Sequence, residues 1–147
     1  MADLTQKLKT LKSKSWRVRR HLAALGKYAT FHRLKNIFLV ESERIRGKDK
    51  LSGYPYMLII DPLNVCNLKC PLCPTGRGEL PLENGRMKYE SFEKLIDQIA
   101  PHTLKIMLYN WGEPFLHKDI LKFIRHAHDH KISTALSSNL NFLPKQG

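Results

Sequence analysis

Five short segments in strict alternation limit the fold of this chain more than any other feature. "YMLIID" (56–61), "LKIMLY" (104–109) and "ISTALS" (132–137) are apolar runs of strand length, and they read as buried strands. Between them lie two amphipathic helices. "YESFEKLIDQIA" (89–100) places Phe92, Leu95, Ile96 and Ile99 on one face, and "KDILKFIRHAHDH" (118–130) does the same with Ile120, Phe123, Ile124 and Ala127. A β–α–β–α–β order predicts an α/β fold with a parallel sheet and right-handed crossovers. Chemistry in such sheets gathers at the carboxyl ends of the strands. Three punctuated segments fall there: "CNLKCPLCP" (66–74) after the first strand, "NWGEPFLH" (110–117) after the second and "SSN" (137–139) after the third. The order alone therefore places three motifs on one rim. "PTGRGELPLENGR" (74–86), with two Pro and three Gly, reads as a loop.

The first 50 residues differ in kind from the rest. They hold 14 Lys/Arg against 4 Asp/Glu, or +10 of the chain's net +12. Leu4, Leu8 and Leu11, then Val18, Leu22 and Leu25, repeat at helical spacing, and Gly26 is expected to interrupt that helix. A second helix is expected from about Ala29 to Arg46, with Phe31, Leu34, Phe38 and Ile45 along one side and Gly47 after its end. Residues 1–50 thus read as a basic helical extension, joined by "GKDKLSGYP" to a near-neutral body over 51–147. Such an arm suits nucleic acid, an anionic membrane surface, or simply a solvated helix face. Trp16 beside Arg17, Arg19 and Arg20 fits nucleic-acid contact or packing on the body equally. No apolar run approaches the ~20 residues that span a bilayer, and "MADLTQKLKT" lacks a secretory core. Three crowded cysteines fit reduced thiols and a cytoplasmic location.

Cys66, Cys70 and Cys73 are all the cysteines of the chain, in a C-x3-C-x2-C array. Thiolates favour soft ions, chiefly zinc and iron–sulfur clusters. A structural zinc needs a fourth Cys or His, and bacterial ferredoxin loops use a different spacing and a fourth Cys. Three thiolates can hold three irons of a [4Fe-4S] cube and leave the fourth open. The competing reading is a non-catalytic iron–sulfur or zinc module, tied to nucleic acid by the basic arm. His126 and His130, one helical turn apart, form a candidate metal pair or a polar helix end.

"CNLKCPLC" followed by "WGEP" (111–114) and "LSSN" (136–139) resembles the radical S-adenosylmethionine (radical SAM) superfamily over residues 55–143. "PLCPTG" and "YNWGEP" look most like members that carry a SPASM-type C-terminal domain. The resemblance implies a (βα) TIM-like barrel, of which about three βα units are present here. It implies that Cys66, Cys70 and Cys73 bind a [4Fe-4S] cluster. Leu72 stands where members have an aromatic residue whose backbone contacts the adenine of S-adenosylmethionine. Gly112 and Glu113 would approach the methionyl amino group, and Pro114 would shape the turn. Trp111 replaces the first Gly of that motif, and Ser137 and Asn139 are further cofactor contacts. Reductive cleavage of S-adenosylmethionine, with an electron from a reductant such as flavodoxin or ferredoxin, would yield a 5′-deoxyadenosyl radical that takes hydrogen from an unknown substrate. Six βα units are usual in the family, so the chain is expected to be part of a longer protein, in preference to a truncated reading frame or an assembly of halves, and to be poorly soluble or unable to cleave the cofactor alone. An inactive remnant is the third reading.

Overall fold

The computed structural model describes Arg19, residues 26–81 and residues 83–143. The helix expected over 3–25 lies outside these residues, apart from exposed, helical Arg19.

Three strands form one parallel sheet in the order β1-β2-β3: β1 is Met57–Ile59, β2 is Lys105–Met107 and β3 is Ser133–Ala135. Met57 pairs with Lys105, and Lys105 with Ser133. The strands are shorter than the apolar runs because regular pairing covers only this width. Single bonds extend it, from Ile60 N to Met107 O (2.8 Å) and from Leu108 N to Ala135 O (2.9 Å).

Helix α1 spans Phe31–Ile45, α2 Pro74–Arg77, α3 Tyr89–Ile99 and α4 Ile120–Asp129. The core lies between one face of the sheet and α3 and α4, where Ile60, Ile106, Leu108 and Ile132 meet Phe92, Ile96, Ile120 and Phe123. Phe92 and Phe123 stack at 4.2 Å and 11°. Burial of each such side chain is worth about 1.5–3 kcal/mol before conformational entropy. The opposite face of the sheet leaves Met57 and Ile59 exposed.

Residues 26–28, Gly26 among them, are helical, and the chain leaves the helix at residues 29–30 before α1 begins. There Thr30 caps α1, its hydroxyl accepting from Arg33 N at 3.3 Å. Gly47 ends α1 in the left-handed region (φ 68), with Lys48 N bonded to Glu43 O, as its position after the apolar periodicity predicts. Residues 74–86 are not wholly loop. Pro74 starts the single turn of α2, and Gly78 closes it at φ 71. The loop then returns through an antiparallel bridge between Leu63 and Arg86.

Helix α1 meets the body with its polar side. Phe31, Leu34, Phe38 and Ile45 share one face, as their spacing predicts, and that face points outward, with Phe31 86% and Ile45 79% exposed. Arg33, Asn36, Val40 and Glu43 are the buried residues. The Arg33 guanidinium donates to Ala100 O, His130 O, Lys131 O and Tyr28 O, and so caps the C-terminal ends of both α3 and α4. Burial lowers its pKa from the ordinary arginine value. Asn36 exchanges both amide bonds with the Tyr54 backbone at 2.9 Å. Glu43 accepts from Lys48 Nζ and from Ser52 N and Oγ, which push its pKa down to about 2.

Candidate functional site

The three segments beyond the strand ends meet, as the β–α–β–α–β order predicts. Asp61, just past β1, accepts from Trp111 N at 3.1 Å. Gly112 lies so close to the first loop that a Cβ there would sit 1.9 Å from Leu63 O. Glu113 N donates to Val65 O at 2.9 Å, immediately before Cys66. Beyond β3, Asn139 N donates to Glu113 Oε2 at 2.8 Å, while its side chain donates to Asn67 Oδ1 at 2.9 Å and to Cys66 Sγ at 3.7 Å. Glu113 is 3% exposed, so its carboxylate is an internal strut. It also caps the 3-10 turn Pro114–Leu116 by accepting from Phe115 N at 3.1 Å.

The cysteine loop is shaped by its own short helix. Cys73 is the N-cap of α2, and Thr75 Oγ1 ties that helix to Trp111 O at 2.6 Å. Gly76 packs under Cys70, where a Cβ would come within 2.5 Å of Cys70 N. The backbone N–H of Gly76, opposed by desolvation and aided by Thr75 and Arg77, holds the Cys73 thiol below its ordinary pKa. A thiol biased to thiolate is suited to bind a soft metal.

Cys66 and Cys73 are half-buried, Cys70 is exposed, and all three thiols are free. Their three sulfurs do not all lie within 4.8 Å of one another. Among the described residues, the only set of at least three donors within 4.8 Å of one another lies elsewhere.

Leu72 projects from the tip of the loop, 91% exposed. Pro114 is buried and opens the 3-10 turn. Ser137 is exposed, next to Ser138, whose hydroxyl accepts from Leu140 N at 3.0 Å. Leu140 turns the chain in the left-handed region (φ 58), rare for a bulky side chain. The sequence reading missed Asp61, Asn67, Thr75 and Gly76. A polar residue directly after a strand, and the Pro-Thr-Gly that follows the last cysteine, were the available signals.

No family model matches the chain. Among curated proteins it is similar to PqqA peptide cyclase of Bradyrhizobium diazoefficiens, at 23% identity over 71% of this chain and 27% of the relative. It is also similar to Fe-coproporphyrin III synthase of Methanosarcina barkeri (27% identity; 55% of this chain, 20% of the relative). A third is 7-carboxy-7-deazaguanine synthase of Aquifex aeolicus (33% identity; 53% of this chain, 33% of the relative). The chain spans about a third or less of the length of these relatives. Among solved structures, BtrN in complex with AdoMet and 2-DOIA matches with a TM-score of 0.54 at 24% identity, over 65% of this chain and 39% of that one. Streptococcus suis SuiB bound to S-adenosylmethionine matches with a TM-score of 0.53 at 22% identity, over 76% of this chain and 22% of that one. At these identities the structural likeness is one of fold.

Proposed function

We propose that this chain, whose relatives are radical SAM enzymes, carries the cluster-binding part of such an enzyme on the rim formed by its three strand ends. Cys66, Cys70 and Cys73 hold three irons of a [4Fe-4S] cluster and leave the fourth for S-adenosylmethionine. In this family that pair supplies a 5′-deoxyadenosyl radical, which takes hydrogen from a substrate, here of unknown class. The sheet is part of a TIM-like (βα) barrel, with the face bearing Met57 and Ile59 as its interior. Leu72 and Ser137, exposed at the rim, are proposed to contact S-adenosylmethionine together with Gly112. Glu113, Pro114 and Asn139 position that contact, since Glu113 and Asn139 are already bonded to each other. A flavodoxin- or ferredoxin-type reductant and a cytoplasmic setting belong to the same reading.

The observation that carries this reading is the chain of bonds from Val65 through Glu113 and Asn139 to Cys66. It makes one rigid unit of the cysteine loop and the two segments that would meet a cofactor. Anaerobic reconstitution with iron and sulfide tests it. About four irons per chain are expected, with an electron paramagnetic resonance signal of the reduced cluster that shifts when S-adenosylmethionine is added. Cys70→Ala should lose most of the iron. One tightly held zinc and no iron would instead establish the module reading.

A second reading concerns the basic arm. Charge alone suits nucleic acid and membrane equally, but the outward face of α1 carries Phe31, Leu34, Phe38 and Ile45. Apolar side chains beside a +10 segment favour an anionic membrane surface. Among the described residues no helix is long and apolar enough to cross a membrane. Co-sedimentation with vesicles is expected for phosphatidylserine-rich but not for pure phosphatidylcholine lipid, and Phe31→Ser with Phe38→Ser should weaken it. Equal sedimentation of parent and variant would remove α1 from this role.

A further inference from the structure

One cluster of metal-ligating side chains lies outside the rim. Asp97 is in the last turn of α3, His126 is in the last turn of α4, and His130 is the C-cap of α4. Helices of a parallel β/α unit run back against the strands, so this cluster sits at the opposite end from the cysteines. His126 Nε2 and His130 Nε2 both point at Asp97 Oδ1, each at 3.2 Å. All three ligand atoms lie within 4.8 Å of one another.

The hydrogen bonds on the far side of each ring define the chemistry. His130 Nδ1 lies 2.9 Å from His126 O. A carbonyl only accepts, so the proton of neutral His130 is on Nδ1, and Nε2 presents a lone pair to the carboxylate. His126 Nδ1 is held by Tyr89 OH at 3.4 Å. Two acceptors facing each other at 3.2 Å repel unless a proton or a metal cation lies between them. One shared cation satisfies all three groups.

We propose that Asp97, His126 and His130 form a second metal site, for a divalent transition ion of the zinc class, that ties α3 to α4. The spacing suits it. Bonds of about 2.0–2.1 Å from nitrogen and oxygen give tetrahedral ligand–ligand edges of about 3.3 Å, close to the two observed nitrogen–oxygen separations. Two imidazoles with one carboxylate select zinc, cobalt, nickel or copper over magnesium and calcium, which prefer oxygen. Both rings have the outer hydrogen bond that orients metal-binding histidines. Asp97 is 54% exposed, which gives an ion access and leaves the remaining coordination positions to water. The site is independent of whether the cysteines bind a cluster.

Titration of the full 147-residue chain with Co(II) tests the site. Cobalt bound by nitrogen and oxygen gives visible d–d bands alone, whereas cobalt on the cysteines adds thiolate charge transfer in the near ultraviolet. The two sites are thus counted separately in one spectrum. One equivalent without charge transfer is expected, weakened about tenfold or more in His130→Gln and in Asp97→Asn. Zinc should raise the melting temperature of the parent by more than that of either variant, since the cysteines remain available in all three. Asp97→Asn lies at the surface and keeps the fold testable if His130→Gln melts early. Saturation only through the charge-transfer species, or unchanged cobalt affinity in both variants, would overturn the site and leave a hydrogen-bonded cluster of Asp97 with the two histidines.

Discussion

Gly112→Ala is expected to cost about 3 kcal/mol, the upper range for overpacking a close-packed site. An added Cβ would stand 1.9 Å from Leu63 O and 2.8 Å from Leu63 C. Both atoms are backbone, so no rotamer change relieves the clash. The segment 110–113 must lift off the first loop, and three bonds depend on its position: Trp111 N to Asp61, Glu113 N to Val65 O and Glu113 Oε2 from Asn139 N. The damage should therefore appear at the cysteines, although Gly112 touches none of them. Iron retained after reconstitution should fall, and any response of the cluster signal to S-adenosylmethionine should disappear. Gly85→Ala is the matched control, because the nearest atoms to its added Cβ lie at 3.9 and 4.0 Å. It should stay within about 0.5 kcal/mol of the parent. A Gly112→Ala chain with parental stability and iron content would show that the two loops are not mechanically joined.

That coupling explains which parts of the site were legible in the sequence. Strand and helix periods are local, so the order of β1, α3, β2, α4 and β3 followed from Phe92, Ile96, Ile106, Phe123 and their neighbours. Parallel order then placed the cysteine loop, "WGEP" and "SSN" on one rim. The bonds that fix them together are not local. Nothing in "WGEP" announces that Glu113 reaches Asn139, or that Gly112 is required by Leu63 O. The same limit applies to α1. Its period identified two faces correctly, but burial usually assigns the apolar face to the body. Here the helix crosses the ends of α3 and α4, where unpaired carbonyls need donors, and Arg33 and Asn36 supply them. Likewise, the spacing of His126 and His130 was visible, whereas Asp97, 29 residues before His126, came to them only through helix packing.

The largest stability effect away from the rim is expected at Arg33. Its partners are carbonyl oxygens: Ala100 O at 3.1 Å from Nε and 2.6 Å from Nη2, His130 O at 2.9 Å, Tyr28 O at 2.8 Å, and Lys131 O. A hydrogen bond to a charged group contributes about 1.5–3 kcal/mol, and losing a buried partner strands the others. Arg33→Met keeps the apolar stem but leaves those carbonyls without their donor. A loss of about 3 kcal/mol is expected, or roughly 10 °C in melting temperature for a chain of this size. Arg33→Lys should recover less than half of it, since one ammonium cannot reproduce the guanidinium fork across two helix ends. Salt separates this device from an ordinary surface ion pair. With carbonyls rather than a carboxylate as partners, the difference between parent and Arg33→Met should persist at high ionic strength. Hydrogen exchange gives the second readout: in Arg33→Met, α1 should lose protection first while Phe92, Ile106 and Phe123 keep theirs. A variant that melts within about 2 °C of the parent would mean that water replaces the guanidinium at the helix ends, and that α1 is held chiefly by Val40 and Asn36.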